Sequence, residues 1–170
     1  MREKLGIRRL LAYIVAALML VVAILVLFRG QVYALADARA SEPELADVDP
    51  ALRNAMEAAM RDASGQGVRL RVVSGGRSLA EQRELYDKAV AEHGAASAAE
   101  WAVPPDQLSA HVKGLAVDVA PKEGAQWLRE HGARYGLCQV YANEIWHFER
   151  TAKNGVCPPL LANASVVEHL

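Results

Sequence analysis

Residues 10–28 are uncharged and almost wholly apolar, with no Gly and no Pro among the nineteen. As a helix, a run of that length spans the hydrocarbon core of a bilayer. Residues 1–9 before it are basic, which keeps the N-terminus on the cytoplasmic side and sends the rest of the chain outside. The competing reading is a cleaved signal peptide, because Ala34-Leu35-Ala36 has the small-x-small form of a cleavage site. The length of the run and its distance from that site favour an uncleaved anchor, and both readings export the C-terminal remainder of the chain. Residues 29–48, rich in Ala and acidic side chains and carrying Pro43, show no period and read as a linker.

The pattern then changes to one of globular elements. Asp49-Pro50 has the form of a helix start, with Asp49 as N-cap. Leu52, Met56, Ala59, Met60 and Ala63 make one apolar face, and Gly65 and Gly67 end that helix. Val68, Leu70 and Val72 alternate with Arg69 and Arg71, which predicts a strand over 68–73. That strand delivers the tight turn Ser74-Gly75-Gly76-Arg77-Ser78. Ser78 with Glu81 forms a capping box for a second helix, with Leu79, Leu85, Tyr86, Ala89 and Val90 as its buried stripe. Residues 94–108 form a long Ala- and Ser-rich loop with Pro104-Pro105, placed to wall a cleft. Leu115, Val117 and Val119 alternate with Gly114, Ala116 and Asp118. This predicts a strand with a large apolar face toward the core and an open face of small residues bearing Asp118. A short helix over 124–131 buries Trp127 and Leu128, and a strand over 137–141 pairs with one over 145–148. The sum is an α+β domain over 49–160, a small antiparallel sheet with helices packed around it, followed by a tail over 161–170.

Candidate chemistry concentrates in two stretches. One reads Ser109-Ala-His111-Val-Lys-Gly114-Leu-Ala116-Val-Asp118 and the other Glu144-Ile-Trp-His147. Two histidines and an aspartate are ligands that zinc accepts, and a catalytic zinc takes three protein ligands and keeps one position open. Glu144 is a spare carboxylate beside His147, suited to act as general base. Three residues apart, the two would face opposite ways on a regular strand, so a bend is expected near Glu144.

This paired motif resembles the signature of the zinc D-Ala-D-Ala peptidases of the VanY and VanX type, a group that extends to phage endolysin peptidases and the hedgehog fold. The resemblance covers residues 50–148. It implies one zinc on His111, Asp118 and His147, with Glu144 as catalytic base. It further implies that Arg77 steadies the substrate carbonyl or oxyanion, that Ser109 contacts the substrate, and that Ser74 and Gln82 lie near it. The implied activity is removal of the terminal D-Ala from peptidoglycan stem peptides by a membrane-held bacterial enzyme. An endopeptidase of the same fold and a non-catalytic zinc-containing binding module are the alternatives. Two positions depart from the pattern: Gly76 stands where an aromatic residue is common, and Glu149 where some relatives carry a basic one. His93, His131 and His169 fall outside the motif and are assigned to surface or structure, and Trp146 to packing.

Charge and cysteines add two constraints. The formal net charge is −1, but the first thirty residues hold five basic side chains and one acidic. The remainder carries 14 basic and 19 acidic groups, a net of −5, which argues against a nucleic-acid partner. Cys138 and Cys157 bracket His147. In an exported domain they would form a disulfide closing a loop of about twenty residues; otherwise they are two free buried thiols.

Overall fold

The computed structural model describes residues 2–42, 44–95, 97–98 and 109–165, without the side chains of 2–12 and 34. Most of the expected 94–108 loop, and His169, lie outside the described residues. Helix α1 runs Arg2–Ser41, α2 Pro50–Gly65, α3 Leu79–His93 and α4 Lys122–His131, the last continuing into a 3-10 turn over Gly132–Tyr135. Strands β1 (Arg71–Ser74), β2 (Ala116–Ala120), β3 (Cys138–Gln139) and β4 (His147–Glu149) form one antiparallel sheet in the order β1-β2-β4-β3.

The sheet has two chemically distinct faces. Val72, Val117, Val119 and Phe148 enter the core, where they meet Leu52, Met56, Ala59 and Met60 of α2 and Trp127 and Leu128 of α4. Helix α2 starts as expected: the Asp49 carboxylate accepts hydrogen bonds from the backbone amides of Ala51 and Leu52 at 2.9 and 3.1 Å. On the other face, cross-strand register aligns Ser74 with Asp118, Asp118 with His147, and Ala116 with Glu149. Residues directly opposite on paired strands share a face, so the polar side of the sheet carries the candidate chemistry.

Several elements differ from expectation. The first strand begins at Arg71 rather than Val68, although Leu70 and Val72 are buried as the alternation requires. Leu115 is 46% exposed and lies outside β2, because Gly114 at φ +69° turns the chain just before the strand. In α3 only Gln82 and Ala89 are buried, whereas Leu79 and Leu85 are exposed. That helix borders a cleft rather than the core, which leaves Leu79 and Leu85 of its apolar stripe exposed. The strand expected over 137–141 shortens to Cys138–Gln139, and Tyr141 makes a separate parallel bridge to Leu161. Ile145 and Trp146 form a turn, closed by the His147 amide donating to the Glu144 carbonyl at 3.1 Å, and β4 starts only at His147.

The expected linker is structured. Helix α1 continues to Ser41, and Leu45 and Val48 belong to the core. Buried Asp37 holds Arg69 through two hydrogen bonds at 2.7 and 3.1 Å. Buried Ser41 donates to the Asp37 carbonyl and accepts from the Val72 amide of β1 at 2.9 Å. The stretch has no single period because it joins two unlike pieces. Its first part belongs to a long helix and its second to an irregular segment with two anchor side chains. Helix α1 is long and apolar enough to cross a membrane, an eighteen-residue stretch of it reaching a mean hydropathy of 2.5, and its residues 13–28 are exposed.

Cys138 and Cys157 form a disulfide across a separation of 19 residues. A link of that span stabilises chiefly by restricting the unfolded chain, by about 3 kcal/mol. Cys157→Ser is therefore expected to cost about 3 kcal/mol in urea denaturation of the full chain in detergent, and reductant should cost the native chain a similar amount.

Candidate metal centre and active site

Asp118 and His147 come together through the β2–β4 ladder. His111 reaches them from a compact turn over 109–114, in which the Gly114 amide donates to the His111 carbonyl and the Leu115 amide to that of Ala110. The Ser109 hydroxyl accepts from the His111 amide at 3.2 Å, which stiffens the turn. The Arg77 amide donates to the His111 carbonyl at 3.1 Å, and His111 Nδ1 lies 2.8 Å from the Gly75 carbonyl. The two turns that carry Arg77 and His111 are thus bonded to each other.

Gly75 is required there. A Cβ on it would lie 1.8 Å from the Glu44 carbonyl oxygen, far inside contact distance. The segment before α2 therefore props the carbonyl that orients His111.

The two imidazoles have their protons assigned by their outer partners. His111 Nδ1–H donates to the Gly75 carbonyl, which leaves Nε2 with a lone pair. His147 Nε2–H donates to the Glu149 carboxylate at 3.0 Å, which leaves Nδ1 with a lone pair. Those two free nitrogens stand 3.1 Å apart, and each is 3.3 Å from Asp118 Oδ1. Oδ1 is buried and has no hydrogen-bond donor among the described residues. The three ligand atoms lie within 4.8 Å of one another. A tetrahedral zinc with bonds of about 2.0–2.2 Å separates its ligand atoms by about 3.3–3.5 Å, close to the triangle found. The donor set and the orphaned oxygen both fit a zinc ion.

The electrostatics agree with a site built for positive charge. Burial alone would raise the Asp118 carboxyl, but His111 and His147 outweigh it and hold it well below the usual range. Burial alone would lower His147, yet Asp118 and Glu149 push it up to about 9 in the metal-free protein. A proton is then the alternative occupant of the triangle.

The other expected residues surround this centre. Glu144 lies 3.9 Å from His147 Nδ1, and burial raises its carboxyl above the ordinary range, with Asp118 and Glu149 adding to the shift and His147 and Arg77 opposing it. The Arg77 guanidinium donates to Gln82 Oε1 at 2.8 Å and to the Ser74 hydroxyl at 3.1 Å, and stands 3.7 Å from Asp118. Burial lowers its pKa, against Asp118, Glu81 and Glu144. Ser74 and Gln82, expected near the substrate, hold this guanidinium in place.

The centre opens into a cleft of about 300 Å³ between the motif residues and α3. Trp146, expected to pack as structure, is 43% exposed and lines it, as does Ala164 from the C-terminal stretch. His93 also lines the cleft, while His131 packs edge-on against Trp127. Two participants go beyond the sequence-based set. Tyr141 packs its ring against His147 with centroids 5.0 Å apart, and no sequence pattern points to it. Glu149 stands out in the sequence only as a departure from the motif, yet its i+2 position from His147 on one strand is the signal that both share a face. A larger cavity of about 880 Å³ between α1 and α2 contains none of these residues.

Residues 46–152 match the family model VanY: D-alanyl-D-alanine carboxypeptidase. The chain belongs to the VanY D-alanyl-D-alanine carboxypeptidase family. His111, Asp118 and His147 form its candidate zinc site. It is 32% identical over 127 residues to a D-alanyl-D-alanine carboxypeptidase of Enterococcus faecalis (strain ATCC 700802 / V583), a match covering 59% of this chain and 46% of that relative. The chain thus spans about half the length of the curated relative it matches.

Among solved structures, VanYB in complex with D-alanine-D-alanine is similar at a TM-score of 0.56 and 27% identity, over 62% of this chain and 72% of that one. A variant of the vancomycin-resistance D,D-pentapeptidase VanY from a VanB-type cassette, in complex with Zn(II), is similar at 0.55 and 29%, over 60% and 71%. DacB, an L,D-carboxypeptidase from Streptococcus pneumoniae, is similar at 0.53 and 27%, over 64% and 68%. An exposed apolar N-terminal helix, as signal or anchor, together with the Cys138–Cys157 disulfide, fits an extracytoplasmic location.

Two measurements check this geometry. Metal analysis after dialysis should find one zinc per chain, and less than about a tenth of that in Asp118→Ala. Gly75→Ala should cost about 1–3 kcal/mol of stability through overpacking against residue 44, with a parallel loss of zinc affinity.

Proposed function

We propose that this chain is a zinc-dependent D-alanyl-D-alanine carboxypeptidase that removes the terminal D-Ala from peptidoglycan stem peptides, outside a bacterial membrane in which α1 is the anchor. The observation that carries this reading is the triangle of ligand atoms on His111, Asp118 and His147, with Glu144 and Arg77 on its rim. The family match and the likeness to VanYB with D-alanine-D-alanine support the substrate.

Zinc held by the three side chains would polarise the scissile carbonyl and acidify a water. Glu144 takes the proton from the attacking water and delivers it to the leaving amine. Its raised pKa suits both halves of that transfer, since the carboxylate is more basic than an exposed one. Arg77 donates to the carbonyl oxygen as negative charge grows on it, and its rigid fork is held ready by Ser74 and Gln82. Ser109 and Trp146 line the approach for the peptide.

A second reading is supported by the likeness to the L,D-carboxypeptidase DacB. On that reading the same machinery cuts a tetrapeptide stem at its L,D bond. The two are separated by incubating the chain, in detergent, with stem pentapeptide and stem tetrapeptide. Release of D-Ala from the pentapeptide alone is expected. Release from the tetrapeptide alone would replace the D,D reading with the L,D one, and cleavage of a C-terminally blocked stem would mark an endopeptidase. Glu144→Ala should lower turnover at least about 10²-fold while zinc stays bound, and full activity in that variant would refute the assignment of the base.

A further inference from the structure

We propose that Glu149 is a positioning residue for the metal: its carboxylate holds His147 in the tautomer that turns Nδ1 toward the ion and makes that nitrogen a stronger ligand. The inference rests on reading His147 as a metal ligand. The carboxylate accepts from His147 Nε2–H at 3.0 Å and is itself only 18% exposed. Strand geometry makes the contact local, because residues i and i+2 project from the same side of β4. Register makes it rigid. The Glu149 backbone is paired with Ala116 of β2 on one side and with Cys138 of β3 on the other. Cys138 is in turn tied to Cys157. Opposite Glu149, the small side chain of Ala116 leaves the carboxylate room to reach the imidazole.

The two histidines are oriented by chemically different groups. His111 gives its outer proton to a neutral backbone carbonyl at Gly75, and His147 gives its own to an anion. A charged acceptor makes the stronger hydrogen bond and shifts electron density onto the opposite ring nitrogen. The carboxylate also adds a negative charge close to a site whose three ligands carry only one. Glu149 belongs neither to the ligand triangle nor to the lining of the cleft, so its effect should appear first in metal affinity.

The test is zinc competition against a chelator of known affinity, with the full chain in detergent micelles, comparing wild type with Glu149→Gln and Glu149→Ala. Loss of the partner of a metal-bound histidine typically costs about 10–100-fold in affinity. Glu149→Ala should fall in that range. Glu149→Gln, which keeps an oxygen acceptor without the charge, should fall between it and wild type. The rise in melting temperature on adding zinc should shrink in the same order. A merely structural role would lower the melting temperature of the metal-free protein and leave the zinc dissociation constant in place. Zinc affinity within about two-fold of wild type in whichever of the two variants folds, well short of the expected loss, overturns the proposal. Failure of the wild type itself to take up zinc would instead overturn the metal reading on which it stands.

Discussion

Three acceptor atoms that face one another without a proton between them repel unless a cation joins them. Asp118 Oδ1, His111 Nε2 and His147 Nδ1 are held in that arrangement, with every separation at 3.1 or 3.3 Å. The fold maintains it by drawing the imidazole protons outward, one to the Gly75 carbonyl and one to Glu149. Desolvation then sharpens the demand for positive charge, since both histidines are buried and the aspartate nearly so. Arg77 at 3.7 Å from Asp118 supplies part of it but stays at the rim, tethered by Ser74 and Gln82. Zinc would supply the rest at the centre.

Keeping repelling groups in place takes a stiff frame, and the frame comes from three parts of the chain. The β2–β4 ladder sets Asp118 opposite His147. The 109–114 turn brings in His111 and is bonded to the Gly75–Arg77 turn through backbone and side chain. The segment just before α2 lies against all of this: the Asp49 amide donates to the Gly114 carbonyl at 2.8 Å, and Gly75, Gly76 and Gly114 all approach the backbone of residues 44–47 too closely for a Cβ. The glycines are where they are because main chain packs on main chain beneath the site.

The candidate ligand set and the candidate base were legible as candidates, because His111, Asp118, Glu144 and His147 are chemically distinctive and closely spaced, and the fold brings them together. The α2 face was legible too, since Leu52, Met56 and Met60 repeat at helical spacing and do face the core. The α3 stripe misled, because periodicity reports a face and not what that face meets. Leu85 looks into a cleft that the local sequence does not reveal. Leu115 misled because strict alternation ran through Gly114, whose positive φ ends the pattern one residue before the strand begins. Ser74 and Gln82 were expected near the substrate, and their contact with Arg77 was not legible because it depends on how a turn meets a helix. Asp37 and Ser41 were illegible as structural residues, because each acts through a single long-range contact rather than through a repeat.

Ser41 has a consequence at the far side of the sheet from β3. Strand β1 is an edge strand, and its outer row of amides would be open to pairing with another molecule. Ser41 occupies that row by taking the Val72 amide, with the end of α1 laid alongside. The family match begins at residue 46, beyond this cover. A chain trimmed to that boundary would keep every side chain of the candidate site and yet offer a bare strand to its neighbours, so its fate in solution would turn on self-association through β1 before any question of catalysis arose.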